Sequence, residues 1–167
     1  MNIIRLTPAH AEEYWSLRLE ALTTNPHAFL MTYDEAIQRT NPINQTKERL
    51  QNKNNYTYGA FAENELIGVV TLLRETHPKM MHRATIFAMY VTQKKRGLGV
   101  GAALLASVIQ EANCIPGLKK INLSVTSGNS EAKRLYQKLG FSVYGLDPKA
   151  QLVDNHYFDE ELMTLLL

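Results

Sequence analysis

Apolar and polar residues alternate at the start of the chain, so Asn2 to Leu6 reads as a strand with one side facing a core. Thr7 supplies an N-cap, and Pro8 suits the first helical position, where no amide hydrogen is needed. The helix that follows runs to about Leu22, with Tyr14, Leu17, Leu19 and Leu22 on its buried side. Phe29 to Arg49 is polar with two prolines nearby, which predicts one or two short helices. Tyr56 to Glu63 and Leu66 to Arg74 are rich in strand formers around a turn at Asn64 and Glu65, the pattern of a hairpin. A basic loop at Thr76 to Arg83 leads into a further strand, Ala84 to Val91.

The periodicity then changes. Leu104, Leu105, Val108, Ile109 and Ala112 recur at helical spacing, and Pro116 with Gly117 stops that helix near Cys114. Lys119 to Val125 reads as a strand, Ser130 to Leu139 as a helix and Phe141 to Tyr144 as a short strand. A closing strand starts at Tyr157. The order βα(α)βββαβαββ predicts a mixed α/β domain with one central sheet and flanking helices, a single unit over 1–167.

Composition narrows the class. A length of 167 residues with 45% apolar and 20% charged residues is enough for one sizeable core. A net charge of +2 gives no general affinity for nucleic acid. No stretch nears the roughly 20 apolar residues of a membrane span, and the first residues lack signal-peptide character, so a cytoplasmic location is expected. The single cysteine, Cys114, rules out an internal disulfide and reads as a small buried hydrophobe. His77, His82 and His156 lack metal-ligand spacing, so no metal is expected.

The stretch VTQKKRGLGVGAALL, residues 91–105, carries the chemistry. Gly97, Gly99 and Gly101 fall between a strand and a helix, where glycine costs chain entropy. Bare backbone there lets consecutive N–H groups point into one concavity at the positive end of a helix, a place suited to phosphate. Lys94, Lys95 and Arg96 add cations, and this neighbour explains them without invoking RNA. A Walker loop would need Gly-Lys-Ser or Gly-Lys-Thr, but Ala102 follows the third glycine. The spacing G-x-G-x-G, late in the chain, also departs from a dinucleotide fingerprint.

A second block, NSEAKRLYQKLGF from Asn129 to Phe141, follows a strand and opens with a capping residue. Taken together, Arg96-x-x-Gly99-x-Gly101 followed by Ala-Leu-Leu, and Asn129 through Leu135-Tyr136-x-Lys138-Leu139-Gly140-Phe141, resemble the GCN5-related N-acetyltransferase (GNAT) family. The order and separation of the two blocks agree, and the element order extends the likeness over nearly the whole chain, most weakly between Phe29 and Arg49. The resemblance implies the GNAT-like acyl-CoA N-acyltransferase fold, with a mostly antiparallel sheet, and acetyl-CoA as co-substrate. It implies a pyrophosphate on the backbone of Arg96, Gly97, Leu98, Gly99, Val100 and Gly101, with Met89 and Val91 offering backbone groups to the pantetheine arm. Asn129 would face the cofactor, and Lys133 or Lys138 would meet its 3′-phosphate. Family members often dimerise, which leaves a homodimer open.

The resemblance sets Tyr136 at the position of the family's general acid. A phenol near 10 is protonated at neutral pH and can donate to a departing thiolate whose thiol titrates near 8.5. The acceptor, expected to be a primary amine of a small molecule, must be neutral to attack. At pH 7 that costs about 4.6 kcal/mol for a lysine-like amine and about 1.4 kcal/mol for an α-amine. Family members often carry a carboxylate on the strand before the glycine loop, but Thr85 to Tyr90 has none. Glu35, Glu75, Asp154 and His156 are the loop candidates for a base, with a water relay or an already neutral amine equally open. Trp15, Phe29 and Tyr33 are candidates for the acceptor pocket. Acceptor specificity falls to the loops Pro26 to Thr46, Glu75 to Arg83 and Leu146 to His156. Transfer to protein N-termini or lysines, and acyl-CoA sensing without catalysis, stand as alternatives.

Overall fold

The computed structural model describes residues 1–167. Its strands are β1 (Asn2–Arg5), β2 (Asn55–Ala62), β3 (Glu65–Arg74), β4 (Arg83–Val91), β5 (Lys120–Thr126), β6 (Ser142–Val153) and β7 (His156–Leu166). Its helices are α1 (Ala11–Thr24), α2 (Tyr33–Ile37), α3 (Pro42–Gln51), α4 (Val100–Cys114) and α5 (Ser130–Lys138). The strands form one seven-stranded sheet in the order β1-β2-β3-β4-β5-β7-β6. Only β4 and β5 run parallel.

Each sheet face has its own helices. α4 and α5 cover one face, where Leu104, Leu105, Val108 and Ala112 pack on Val70, Leu72, Ile121 and Met163. Burying each large aliphatic side chain there contributes roughly 1.5–3 kcal/mol. α1 and α3 cover the other face, with Tyr14, Leu17, Ala21 and Leu50 on Leu66, Val69 and Tyr90. The helices therefore sort by the face their apolar stripe meets, and the sheet separates two chambers.

Several expectations shift. Pro8–His10 forms a short 3-10 turn, closed by a capping box between Thr7 and His10, before α1 begins. The polar stretch after Phe29, by contrast, holds two short helices as expected, α2 and α3. β6 is a full edge strand of 12 residues instead of the short strand expected at 141–144. The stretch Leu146 to His156, expected as a loop, therefore lies mostly in the β6–β7 hairpin. Cys114 is exposed, because it ends α4 on the side away from the sheet stripe. No helix is long and apolar enough to cross a membrane.

Candidate active site

Strand β4 builds the site by changing its phase. Thr71 pairs with Phe87 and Val69 with Tyr90, so Ala88 and Met89 together oppose one residue, Val70. Ala88 takes a left-handed φ of 52° to fit that bulge. Ile86 points to the α4 face before the bulge, and Met89 and Val91 do so after it. Tyr90 consequently faces α1, where its hydroxyl donates to Glu20 Oε1 at 2.8 Å and meets Thr24 Oγ1 at 2.8 Å.

Beyond the bulge the sheet splits. β4 pairs with β5 only from Arg83 to Thr85, against Lys120 to Asn122. Past those residues the two parallel strands diverge, and a cleft of about 1190 Å³ lies between them, lined by Ile86 to Val91 and by Leu123 to Thr126. Thr92 N–H donates to Ile67 C=O at 2.9 Å, so the Val91–Gly68 pair directs Val91's own N–H and C=O away from β3, toward this gap. Arg96 Nε already donates to the Val91 carbonyl at 2.9 Å, which leaves the Val91 N–H free.

The glycine loop closes the α4 side of the cleft. Gly97 and Gly99 hold φ at 73° and 79°, and a Cβ at either would meet nothing within 4 Å. Backbone conformation, not packing, therefore favours glycine at these two positions. At Gly101 the constraint is packing, since a Cβ would lie 3.2 Å from both Leu135 Cδ2 and Met89 Cε. The N–H groups from Gly97 through Ala102 have no acceptor within the protein, and the first hydrogen bond of α4 is Ala103 N–H to Gly99 C=O at 3.0 Å. Free amides at a helix N-terminus fit a diphosphate. Arg96 braces the loop through Asn25 Oδ1 at 2.6 Å and the Tyr90 ring at 5.5 Å, so its side chain is structural and its cleft contribution is backbone. Leu98 is 69% exposed at the loop tip, while the Val100 side chain is buried in the core.

On α5, Asn129 Oδ1 accepts from Ala132 N–H at 3.2 Å and caps the helix while lining the cleft. Lys133 is paired with Glu161 at 2.6 Å, which removes it as a free cation. Lys138 is exposed, lines the cleft and has no partner. Tyr136 is only 7% exposed, packs edge-on to Phe141 at 5.9 Å, and makes no hydrogen bond. Burial pushes its phenol up to about 12. Its ring is buried while its hydroxyl, without a protein partner, opens onto the cleft, where a ligand atom could accept from it.

The α1 face holds the other half of the cleft. Arg18, Phe29 and Arg49 line it on one side, with Phe87 on its floor. The opposite wall comes from the β6–β7 hairpin. Glu161 reaches α5 through Lys133, whereas the Phe158 ring stacks 5.2 Å from His27 beside the α1 terminus. Strand alternation puts Glu160 on the Phe158 side, and Glu160 lines the cleft opposite Asp147. Charge identity and spacing in the sequence single out none of Arg18, Arg49 or Glu160. Only the face each occupies brings them together.

The expected base candidates lie elsewhere. Glu35 closes the capping box of α2, accepting from Thr32 N–H at 2.7 Å, and that bond holds its carboxyl below the usual range. Asp154 and His156 sit at the exposed tip of the β6–β7 hairpin, and Glu75 follows β3, all outside the cleft lining. Of the three aromatic candidates only Phe29 lines the cleft. Trp15 is buried with Leu22 and Ala36, and Tyr33 is 42% exposed on α2.

Similarity to known proteins identifies the family. A model of the acetyltransferase (GNAT) family matches residues 12–141. The L-amino acid N-acetyltransferase AaaT of Escherichia coli strain K12 is 27% identical over 63% of this chain and 64% of its own. The spermine/spermidine N(1)-acetyltransferase of Bacillus subtilis strain 168 is 26% identical over 78% of this chain and 90% of its own. A GNAT acetyltransferase structure from Streptococcus pneumoniae superimposes with a TM-score of 0.88 at 22% identity, covering 99% of each chain. The yncA structure from Salmonella typhimurium, with its cofactor acetyl-CoA, gives 0.85 at 19% identity over 100% of this chain and 94% of its own. Structural likeness at such identities speaks for the fold. The family match covers most of the length, and with it the chain belongs to the GNAT acetyltransferases, enzymes whose acetyl donor is acetyl-CoA.

Proposed function

We propose that the chain transfers the acetyl group of acetyl-CoA to a primary amine of a small molecule, by direct attack within a ternary complex. One observation carries the reading: the gap between β4 and β5 joins a face of free loop amides to a face of acceptor-sized space, with an unpartnered phenol on its wall. The relatives named for amino acids and for polyamines support a small amine as acceptor.

Acetyl-CoA supplies an acyl group activated as a thioester. The amides from Gly97 to Ala102 hold the diphosphate end, each charge-assisted bond contributing about 1.5–3 kcal/mol. Met89 and Val91 align the arm along β4, and Asn129 and Lys138 flank it from α5. The amine nitrogen forms its bond to the acyl carbon as the carbon–sulfur bond breaks. Tyr136 donates its hydrogen bond, then its proton, to the departing sulfur. Glu160, directly or through water, takes the proton the amine gives up. Most of the rate gain is positioning.

Coenzyme A release measured over a panel of small amines, with the acetylated product identified by mass, tests the reading. Turnover of small amines is expected. Acetylation confined to peptide N-termini or lysines, or tight acetyl-CoA binding without release from any amine, would replace it.

A further inference from the structure

We propose that the acceptor is a zwitterion, a small apolar amino acid whose carboxylate is held by Arg18 and Arg49 and whose amine faces the Glu160 wall. The inference rests on the transferase reading above and names the acceptor class for it.

Arg18 is the anomaly. It is partly buried on α1, makes no hydrogen bond and has no carboxylate partner. Its guanidinium carbon lies over the Phe29 ring, 4.4 Å from the centroid. Burial, the largest influence, pulls its basicity below the ordinary value; Tyr14 acts upward, and the charges of Arg49 and Arg39, each weaker than Tyr14, act downward. Lys133 and Arg96, also partly buried, are by contrast held by polar partners, Lys133 by Glu161 and Arg96 by Asn25 and the Val91 carbonyl. A desolvated cation without a counter-ion is costly to the fold. Arg49 stands beside it with only Thr46 Oγ1, at 3.4 Å, and the Tyr14 ring, at 5.7 Å. Two guanidinium forks aimed into one cleft suit a planar carboxylate.

The charge is divided across the chamber. The carboxylates that line the cleft, Glu131, Asp147 and Glu160, come from α5 and the β6–β7 hairpin, and none comes from α1 or α3. A ligand spanning from α1 to the hairpin meets Arg18 and Arg49 at one end and Asp147 and Glu160 at the other, while the remaining cations of the lining, Lys95, Arg96, Arg134 and Lys138, belong to the segment before α4 and to α5. A zwitterion satisfies both ends, while a polyamine would bring a second positive charge to the arginines.

A smaller cavity, about 300 Å³, extends the chamber over the sheet and shares Tyr14, Arg49, Phe87 and Ala88 with it. Leu50 and Leu73 add apolar wall. Phe87 is 51% exposed there and Leu73 40%, surface that an apolar side chain would cover. Arg49 lies at the junction, where the carboxylate and side chain of one amino acid diverge.

The test compares kcat/KM for L-phenylalanine and L-leucine with their amides, with phenethylamine and isoamylamine, with spermidine and with phosphoethanolamine. Acetyl-CoA affinity is followed separately by calorimetry. The free amino acids are expected to exceed their amides by roughly 10- to 100-fold, the scale of one or two charge-assisted bonds. The amides carry the less basic amine, so nucleophile supply cannot produce that order. In Arg18→Gln and in the more exposed Arg49→Gln, the acid-to-amide ratio should fall toward one while acetyl-CoA affinity and thermal unfolding hold. If Arg18→Gln does not fold, Arg49→Gln carries the comparison. Preference for spermidine, phenethylamine or phosphoethanolamine, or an unchanged ratio in the folded variants, overturns the inference and leaves the transferase standing. Acetyl-CoA bound but released by no amine sinks both.

Discussion

A phenol with no hydrogen-bond partner in a largely apolar setting stays neutral far above physiological pH, and Tyr136 is pushed to about 12 by burial alone. Complete transfer of its proton to a thiolate whose thiol titrates near 8.5 is uphill by about 5 kcal/mol in the empty cleft. Its leverage therefore comes first from a hydrogen bond that strengthens as negative charge grows on sulfur. Tyr136→Phe should lower kcat by roughly 10²- to 10³-fold with acetyl-CoA affinity nearly unchanged. The wild-type to variant ratio should stay flat from pH 6 to 9, because the phenol does not ionise there; an equal rate for the two proteins would remove Tyr136 from the proposed role. The same burial predicts a stability effect with a definite sign. The folded value lies above the unfolded value near 10, so the contribution is fully present below pH 10 and is lost as pH rises through about 12. Urea unfolding should show wild type losing about 1.4 kcal/mol by pH 11 that the Phe variant keeps, and about 2.7 kcal/mol at still higher pH. Parallel alkaline losses in both proteins would mean the phenol is better solvated than its burial implies.

At the scale of elements, the strand–loop–helix unit from β4 to α4 is the proposed anion site because six consecutive amides, Gly97 to Ala102, are left without acceptors. Gly99→Asp separates binding from folding. Aspartate tolerates a left-handed backbone and favours helix N-termini, so stability should change by about 1 kcal/mol or less. Its carboxylate would stand where the diphosphate is proposed to sit, at an energetic cost of roughly 1–4 kcal/mol. Calorimetry should show acetyl-CoA affinity down by about 10-fold or more, with Gly99→Asn falling between; unaltered affinity would dismiss the loop as the cradle. This unit was legible in the sequence because strand periodicity, glycine and helix periodicity are all local. β6 was not. Ser142–Val153 is an edge strand exposed on much of both sides, so it lacks alternation, and Pro148 and a left-handed Lys149 at φ 56° interrupt it. The acceptor side was illegible for a related reason. Arg18 and Glu160 are ordinary charged residues in a helix and a strand, and packing alone decides that both line the cleft. Glu35 misled in the opposite way, because its charge serves a helix cap.

On the scale of the whole molecule, the sheet is held as one piece by β5, which pairs briefly with β4 and along its full length with β7. The gap above that short pairing leaves the β4 backbone after Ile86 as an internal edge, with amides that no strand covers. An occupant that pairs with this edge and caps α4 should behave as an added structural element. At 100 times its dissociation constant, acetyl-CoA would stabilise the fold by about 2.7 kcal/mol. For a chain of this size that raises the melting temperature by roughly 5–11 °C. The gain should also be localised. Hydrogen exchange should slow at Val91 and from Gly97 to Ala102, while the fast-exchanging amides of β1 and of the β6–β7 tip keep their rates. The two measurements constrain each other. A melting shift without slowing at those amides would mean the ligand binds elsewhere on the protein. Slowing at the loop but not at Val91 would mean the phosphate end is held while the arm leaves the gap. The proposed path through the sheet, from free amides on one face to Arg18 and Glu160 on the other, requires both.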